Sequence, residues 1–276
     1  VRLDDGTLLI LDAGTGMVPL GKSLMADGFA KGCGTASLLL THTHWDHIMG
    51  LPYFEPALVR GNQINVYARK RDGVPLKELI VGQQAPEYSD VLFSEFKAGF
   101  SFNEIEEGDI LKIGSATVTC ARLNHPFYAL GFRIASDNGS VVCVTDTSPY
   151  KDVFLADSFV KNPADVAPAP GGARAQEMEA CRLALNDLLT DADLVIYDTF
   201  HEPAGYKLRP HWGHSTPDHA IADCVAAGAR RLALFHHAPD NTDETMDRLA
   251  AVYRDKGASV GVDVFAAKEG LVITVP

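Results

Sequence analysis

The sequence predicts an α/β fold in which sheets are covered by helices. Two observations carry that expectation. Short apolar or β-branched blocks alternate with blocks of helical spacing through both halves of the chain. No linker-like stretch divides the 276 residues, so residues 1–276 read as one large domain with a deep core. Apolar residues make up 46% and charged residues 22%, an ordinary globular balance, and no apolar run is long enough to span a bilayer.

The elements follow in order. Residues 7–11 form an apolar run that leads into the turn Asp12-Ala13-Gly14-Thr15-Gly16, and residues 37–40 form a second run. Asp46 starts a helix toward Leu58, which Pro52 interrupts or ends. Residues 64–67 read as a strand, and residues 73–99 as an irregular stretch that covers a site. Residues 110–113, 116–123, 130–135 and 141–144 are strands, the last two joined by the hairpin signal Asp137-Asn138-Gly139. Helical spacing returns over 177–189, 217–227 (capped by Ser215 or Thr216) and 243–256, the last ending at Gly257. Residues 194–197, 232–235, 262–265 and 271–275 are the remaining strands. An Ala-, Pro- and Gly-rich stretch over residues 163–175 is read as an insertion that shapes a pocket.

The formal net charge is −12, without the basic footprint by which proteins hold long nucleic acids. A small anionic substrate is expected instead, since metal ions supply positive charge locally. The five cysteines are odd in number and form no CxxC, which favours a reducing, cytoplasmic compartment. Val1 rather than Met opens the chain, inside a strand-like run, so an N-terminal strand is read as preceding it. A symmetric homodimer is the general expectation for a soluble enzyme.

The decisive segment is Thr41-His42-Thr43-His44-Trp45-Asp46-His47. His42 and His44 are two apart and point the same way in an extended chain. A helix starting at Asp46 turns Asp46 and His47 back toward the same spot. Neutral imidazole and carboxylate are ligands of zinc and similar divalent ions. Four such groups exceed what one catalytic metal needs, and two metals are the simpler reading.

His42-Thr43-His44-Trp45-Asp46-His47 with Gly50-Leu51-Pro52 resembles the HxHxDH signature of the metallo-β-lactamase superfamily. Leu11-Asp12-Ala13-Gly14-Thr15-Gly16, Asn124-His125-Pro126, Val144-Thr145-Asp146-Thr147 and Leu234-Phe235-His236-His237-Ala238-Pro239 resemble its other motifs, in the family's order. The resemblance implies a four-layer αβ/βα sandwich. It also implies that His42, His44 and His125 bind one metal, that Asp46, His47 and His236 bind the other, and that Asp146 bridges them. Asp12 is then a carboxylate that orients a ligand, and Asp46 orients the attacking water. His236 is preferred over His237 because it stands three residues before Pro239. Zinc is the expected ion, with manganese and iron as alternatives.

Trp212-Gly213-His214-Ser215-Thr216 and Tyr197-Asp198-Thr199-Phe200-His201 are similar to segments of the phosphodiesterase branch that contains the tRNA 3′-processing ribonucleases. That resemblance gives His214 the role of protonating the leaving oxygen, with its carboxylate partner open among Asp198 and the His201-Glu202 pair. His211 and His219 read as surface residues, and Tyr128 as a half-buried aromatic. The expected function is a dinuclear-metal phosphodiesterase acting on a small phosphodiester such as a cyclic nucleotide. Three alternatives stand beside it: a tRNA 3′-processing endonuclease, a thioester, lactone or β-lactam hydrolase, and a non-catalytic metal-binding sensor. The fold permits all of them.

Overall fold

Neighbouring parallel strands finish at a common edge of their sheet, and this property organises both halves of the chain. The structure is a computed structural model that describes residues 1–151, 153–155 and 172–275. Contacts divide the chain into two units, Val1–Ser115 and Ala116–Pro276.

The first unit is built on four parallel strands in chain order, β1 (Leu8–Leu11), β2 (Thr35–Leu39), β3 (Gln63–Arg69) and β4 (Gly99–Ile105). The connections carry α1 (Met17–Leu24), α2 (Trp45–Ile48) and α3 (Leu76–Gly82), and β5 (Ile110–Ile113) follows β4. Strand β2 is flanked on both sides, and Ala36, Leu38 and Leu39 are fully buried along it. In β3, Ile64, Val66 and Ala68 alternate into a core that also takes Leu8, Ile10, Phe54 and Ile80.

The helix expected from Asp46 toward Leu58 is instead a single α-turn followed by 3-10 turns at Leu51–Tyr53 and Glu55–Leu58. Pro52 and Pro56 supply no N–H and each opens a new turn rather than continuing the old one. Residues 73–99 are also more regular than expected. They hold α3 and a 3-10 turn at Phe93–Glu95, and β4 begins at Gly99. The glycine start and the polar positions in β4 hid that strand, and α1 was equally unanticipated.

The second unit orders its strands β6 (Ala116–Leu123), β7 (Ala129–Ser136), β8 (Gly139–Val144), β9 (Leu194–Asp198), β10 (Arg231–Phe235) and β11 (Asp263–Ala266). The pairs β6–β7 and β7–β8 are antiparallel, and β8 through β11 are parallel. Ser136 faces Gly139 in register, so Asp137-Asn138 is the hairpin turn anticipated from sequence. Helices α4 (Ala173–Leu189), α5 (Pro203–Leu208), α6 (Pro217–Ala227) and α7 (Asp243–Ser259) complete the unit. The hydroxyl of Thr216 accepts from the backbone N–H of His219, Pro217 opens α6, and Gly228 at φ +70° ends it. The core joins Leu123, Val142, Val144, Leu185, Tyr197, Ile221 and Leu234.

Helix α7 does not stop at Gly257 but runs to Ser259. Gly257 is there for closeness rather than termination, because a Cβ at that position would fall on Val264 of β11. No strand is assigned to residues 271–275, although Ile273 and Val275 pack beside Val141, Leu194 and Ala233. Of the residue 163–175 stretch, 163–171 lie outside the described residues, and Ala173–Ala175 open α4. His211 is buried and His219 half-buried, contrary to the surface reading. The ring of His219 packs edge-on against Tyr206 of α5, an element the sequence did not announce. Among the described residues no helix is long and apolar enough to cross a membrane.

Candidate metal and catalytic centre

In the first unit the candidate ligands sit just past the ends of adjacent parallel strands. Asp12 follows β1, and His42 and His44 follow β2. The Asp12 carboxylate accepts from the backbone N–H of Thr41 at 2.7 Å, from the Thr41 hydroxyl at 2.9 Å, and from His47 Nδ1 at 2.8 Å. A carboxylate facing Nδ1 keeps the proton on that nitrogen, so Nε2 of His47 carries the lone pair. That Nε2 lies 3.2 Å from Asp46 Oδ2. The His42 and His47 ring centroids are 4.1 Å apart, and His42 Nε2 is 2.9 Å from His44 Nδ1. Three imidazoles and a carboxylate thus converge on one loop.

The loop is held by its backbone. Ala13 N–H donates to the His47 carbonyl at 2.7 Å, and Gly50 N–H donates to the Ala13 carbonyl at 2.7 Å. A Cβ on Gly14 would strike the Asp46 carbonyl, and one on Gly50 would strike the Gly14 carbonyl. Both glycines are therefore required by close approach rather than by turn conformation.

Replacing Asp12 by Asn tests the orienting role with little disturbance. Asn is nearly isosteric and tolerates the left-handed backbone found at this position, φ +58°. Its amide can turn an N–H toward His47 Nδ1, which moves the imidazole proton to Nε2. Metal affinity is expected to fall about 10- to 100-fold in a competitive chelator titration, with the unfolding midpoint little changed. Unaltered affinity would remove Asp12 from the metal-supporting set.

The second unit repeats the device. His125 follows β6, Asp146 follows β8, Asp198 ends β9 and His236 follows β10. Strands β8, β9 and β10 are parallel neighbours, and β6 runs the same way beyond β7, so all four groups reach one sheet edge. His125 Nδ1 lies 3.0 Å from the Gly213 carbonyl, which can only accept, so Nε2 of His125 is the unprotonated nitrogen of the neutral ring. His125 Nε2 is 3.7 Å from Asp146 Oδ2, and His236 Nε2 is 3.5 Å from Asp146 Oδ1. Two donors each about 2.1 Å from a tetrahedral ion stand roughly 3.4 Å apart. The two oxygens of Asp146 each face a different imidazole at nearly that spacing, which is longer than a hydrogen bond. This donor set fits a divalent metal, and Asp146 has the geometry of a shared carboxylate.

Asp12, Asp146 and His236 all have positive φ, at +58°, +47° and +57°. Such backbone costs on the order of 1–3 kcal/mol per residue and persists where the surroundings over-determine it. His237 points elsewhere, with Nε2 3.3 Å from the Ala267 carbonyl.

Asp198 settles the open partner of His214. Its Oδ2 is 3.0 Å from His214 Nδ1 and also accepts from the backbone N–H of Thr147 at 3.0 Å and of Ser215 at 3.3 Å. Oδ1 accepts from Phe200 N–H at 3.0 Å. Burial pushes this carboxyl up, but the attraction and hydrogen bonds of His214 and His236 outweigh it and hold the pKa at about 2. Asp198 is thus a fixed anion that keeps the proton of His214 on Nδ1. Phe200 stacks on the His214 ring at 4.6 Å and 20°, a contact that no sequence motif announced. His201 is buried beside them, and burial followed by repulsion from His214 lowers its pKa to about 4, so it is neutral near pH 7. Tyr128 is buried under Arg122, whose guanidinium carbon lies 4.3 Å from the ring centroid.

Comparison with known proteins gives this geometry a family. A family model described as a Beta-lactamase superfamily domain matches residues 11–237. A ribonuclease Z from Streptococcus sanguinis is 26% identical over 231 residues, covering 73% of this chain and 71% of the relative. Human tRNase Z, short form, superposes with a TM-score of 0.61 at 19% identity, over 100% of this chain and 91% of that one. The metallo-β-lactamase fold protein YhfI from Bacillus subtilis gives a TM-score of 0.61 at 17% identity, over 95% of this chain and 85% of that one. At these identities the structural likeness shows the fold, the metallo-β-lactamase α/β fold expected from the motifs. This chain belongs to the metallo-β-lactamase superfamily of metal-dependent hydrolases.

Proposed function

We propose that the chain is a dinuclear-metal phosphodiesterase whose substrate is a small anionic phosphodiester, with a cyclic nucleotide as the type. His42, His44 and His125 would hold one ion, Asp46, His47 and His236 the other, and Asp146 both. Zinc suits the imidazole and carboxylate donors, and manganese or iron suit them next best. Bound metals supply Lewis acidity to water and to phosphoryl oxygens. The chain's own residues do the remainder. Asp46 orients the attacking water, and His214 delivers a proton from Nε2 to the departing oxygen while Asp198 holds Nδ1–H.

The observation that carries this reading is the Asp198–His214 pair. A thiolate leaves without a proton, whereas a sugar alkoxide does not. An imidazole fixed by a buried carboxylate is therefore suited to an ester whose leaving group is a poor one. None of the five cysteines is in a disulfide, which suits a reducing compartment, and the cytoplasm is the location we infer. The second reading, a tRNA 3′-processing endonuclease, is favoured by the names of the relatives and opposed by the net charge of −12.

The test is hydrolysis of bis(p-nitrophenyl) phosphate by protein of measured metal content, before and after chelation. Chelator-sensitive turnover with about two ions per chain is expected. Metal-loaded protein that ignores phosphodiesters but opens thioesters, lactones or lactams would overturn the proposal. Faster cleavage of a 3′-extended tRNA than of cyclic nucleotides would select the second reading.

A further inference from the structure

Between the ligand candidates His44 and Asp46 the sequence places a tryptophan that contributes little to the core. Trp45 opens α2 and is 58% exposed. Met49, four residues on and so on the same helical face, is 43% exposed. Tyr88, 72% exposed, meets the Trp45 ring edge-on with centroids 6.3 Å apart. Single exposed apolar side chains are ordinary, but a joined group beside a polar site is not.

Two further features bear on what the group could do. The backbone hydrogen bonds and glycine contacts of Ala13, Gly14, His47 and Gly50 lock the loop that carries Trp45, so the indole stands on a rigid support. Arg71, just past the end of β3, donates to Thr43 Oγ1 at 2.9 Å, which sets a guanidinium beside the histidine loop. A planar apolar surface next to fixed positive charge matches a ligand that has a flat ring at one end and a phosphate at the other.

We propose that Trp45, with Tyr88 at its edge, is the specificity-determining platform of this site and stacks the nucleobase of a nucleotide substrate. The assignment rests on the phosphodiesterase reading and narrows it from phosphodiesters in general to those bearing a base. An aryl ester group would offer the same flat face, and the test separates the two sources.

Binding, not turnover, is the measurement. Metal-loaded protein is titrated calorimetrically with adenosine 5′-monophosphate, ribose 5-phosphate, phenyl phosphate and methyl phosphate. Adenosine monophosphate is expected to bind about 5- to 150-fold more tightly than ribose 5-phosphate. W45A should erase that ratio while leaving ribose 5-phosphate affinity and metal content unchanged, and W45F should keep most of it. Equal affinity for the two sugar phosphates, no binding of adenosine monophosphate at millimolar concentration, or an unchanged ratio in W45A would overturn the platform. Preference for phenyl over methyl phosphate without preference for the nucleotide would give the surface to an aryl group and overturn the nucleobase. Protein that keeps the expected binding pattern yet hydrolyses no phosphodiester would sink the proposed function and leave the platform standing.

Discussion

His214→Ala is expected to lower kcat about 10²- to 10⁴-fold toward nucleoside phosphodiesters, the range typical of a lost general acid. The loss should depend on the leaving group. p-Nitrophenolate departs without a proton, so bis(p-nitrophenyl) phosphate should be hydrolysed by the variant at close to the normal rate. A ribose or alkyl oxygen needs the proton and should show the full deficit. The fold should tolerate the change because Asp198 keeps three backbone donors, from Thr147, Phe200 and Ser215. Thr216, not His214, caps α6, so the helix keeps its start. Metal content should be unaltered. Equal losses on both substrates would make His214 a structural residue, and loss of metal would make it part of the ligand set.

What the sequence revealed and what it concealed divide along a physical line. The ligand candidates were legible because each falls at the end of an apolar run, and parallel strands bring their ends to one edge. Asp146 and Asp198 carry the same signal, a carboxylate that closes a β-like block. The role of Asp198 stayed open only because pairing across β8, β9 and β10 determines what stands beside it. Phe200 against His214 and the Gly213 carbonyl on His125 are contacts between segments distant in the chain, and no local pattern encodes them. Elements failed where proline or glycine sits inside the pattern. Pro52 and Pro56 broke one expected helix into turns, whereas Gly257 lies within a helix it was expected to end. Glycine that terminates and glycine that permits close packing look alike until the neighbour, here Val264, is known.

Gly213→Ala should be the most damaging small substitution in the second unit. Gly213 has φ +85°, where any other residue pays for a left-handed backbone. A Cβ there would also fall on the His125 imidazole at Nδ1 and on the Pro126 ring, and neither is the yielding end of a flexible chain. The same glycine supplies the carbonyl that accepts from His125 Nδ1. Pushing the ring away thus breaks the bond that fixes its tautomer and turns Nε2 from Asp146. Strain and overpacking together predict about 2–4 kcal/mol of lost stability, with metal affinity down about 10- to 100-fold. Gly261→Ala is the control, because Gly261 has φ +82° with nothing within 4 Å of its added Cβ. It bears the backbone strain without the collision, so the difference between the two variants isolates the contact with His125. Urea unfolding followed by metal titration would read both effects, and a Gly213 variant no worse than the Gly261 variant would show that His125 is not held from this side. The link matters because Gly213 stands beside His214: one short segment positions a candidate ligand through its carbonyl and the candidate acid through the next residue, so damage to either is expected in both metal binding and turnover.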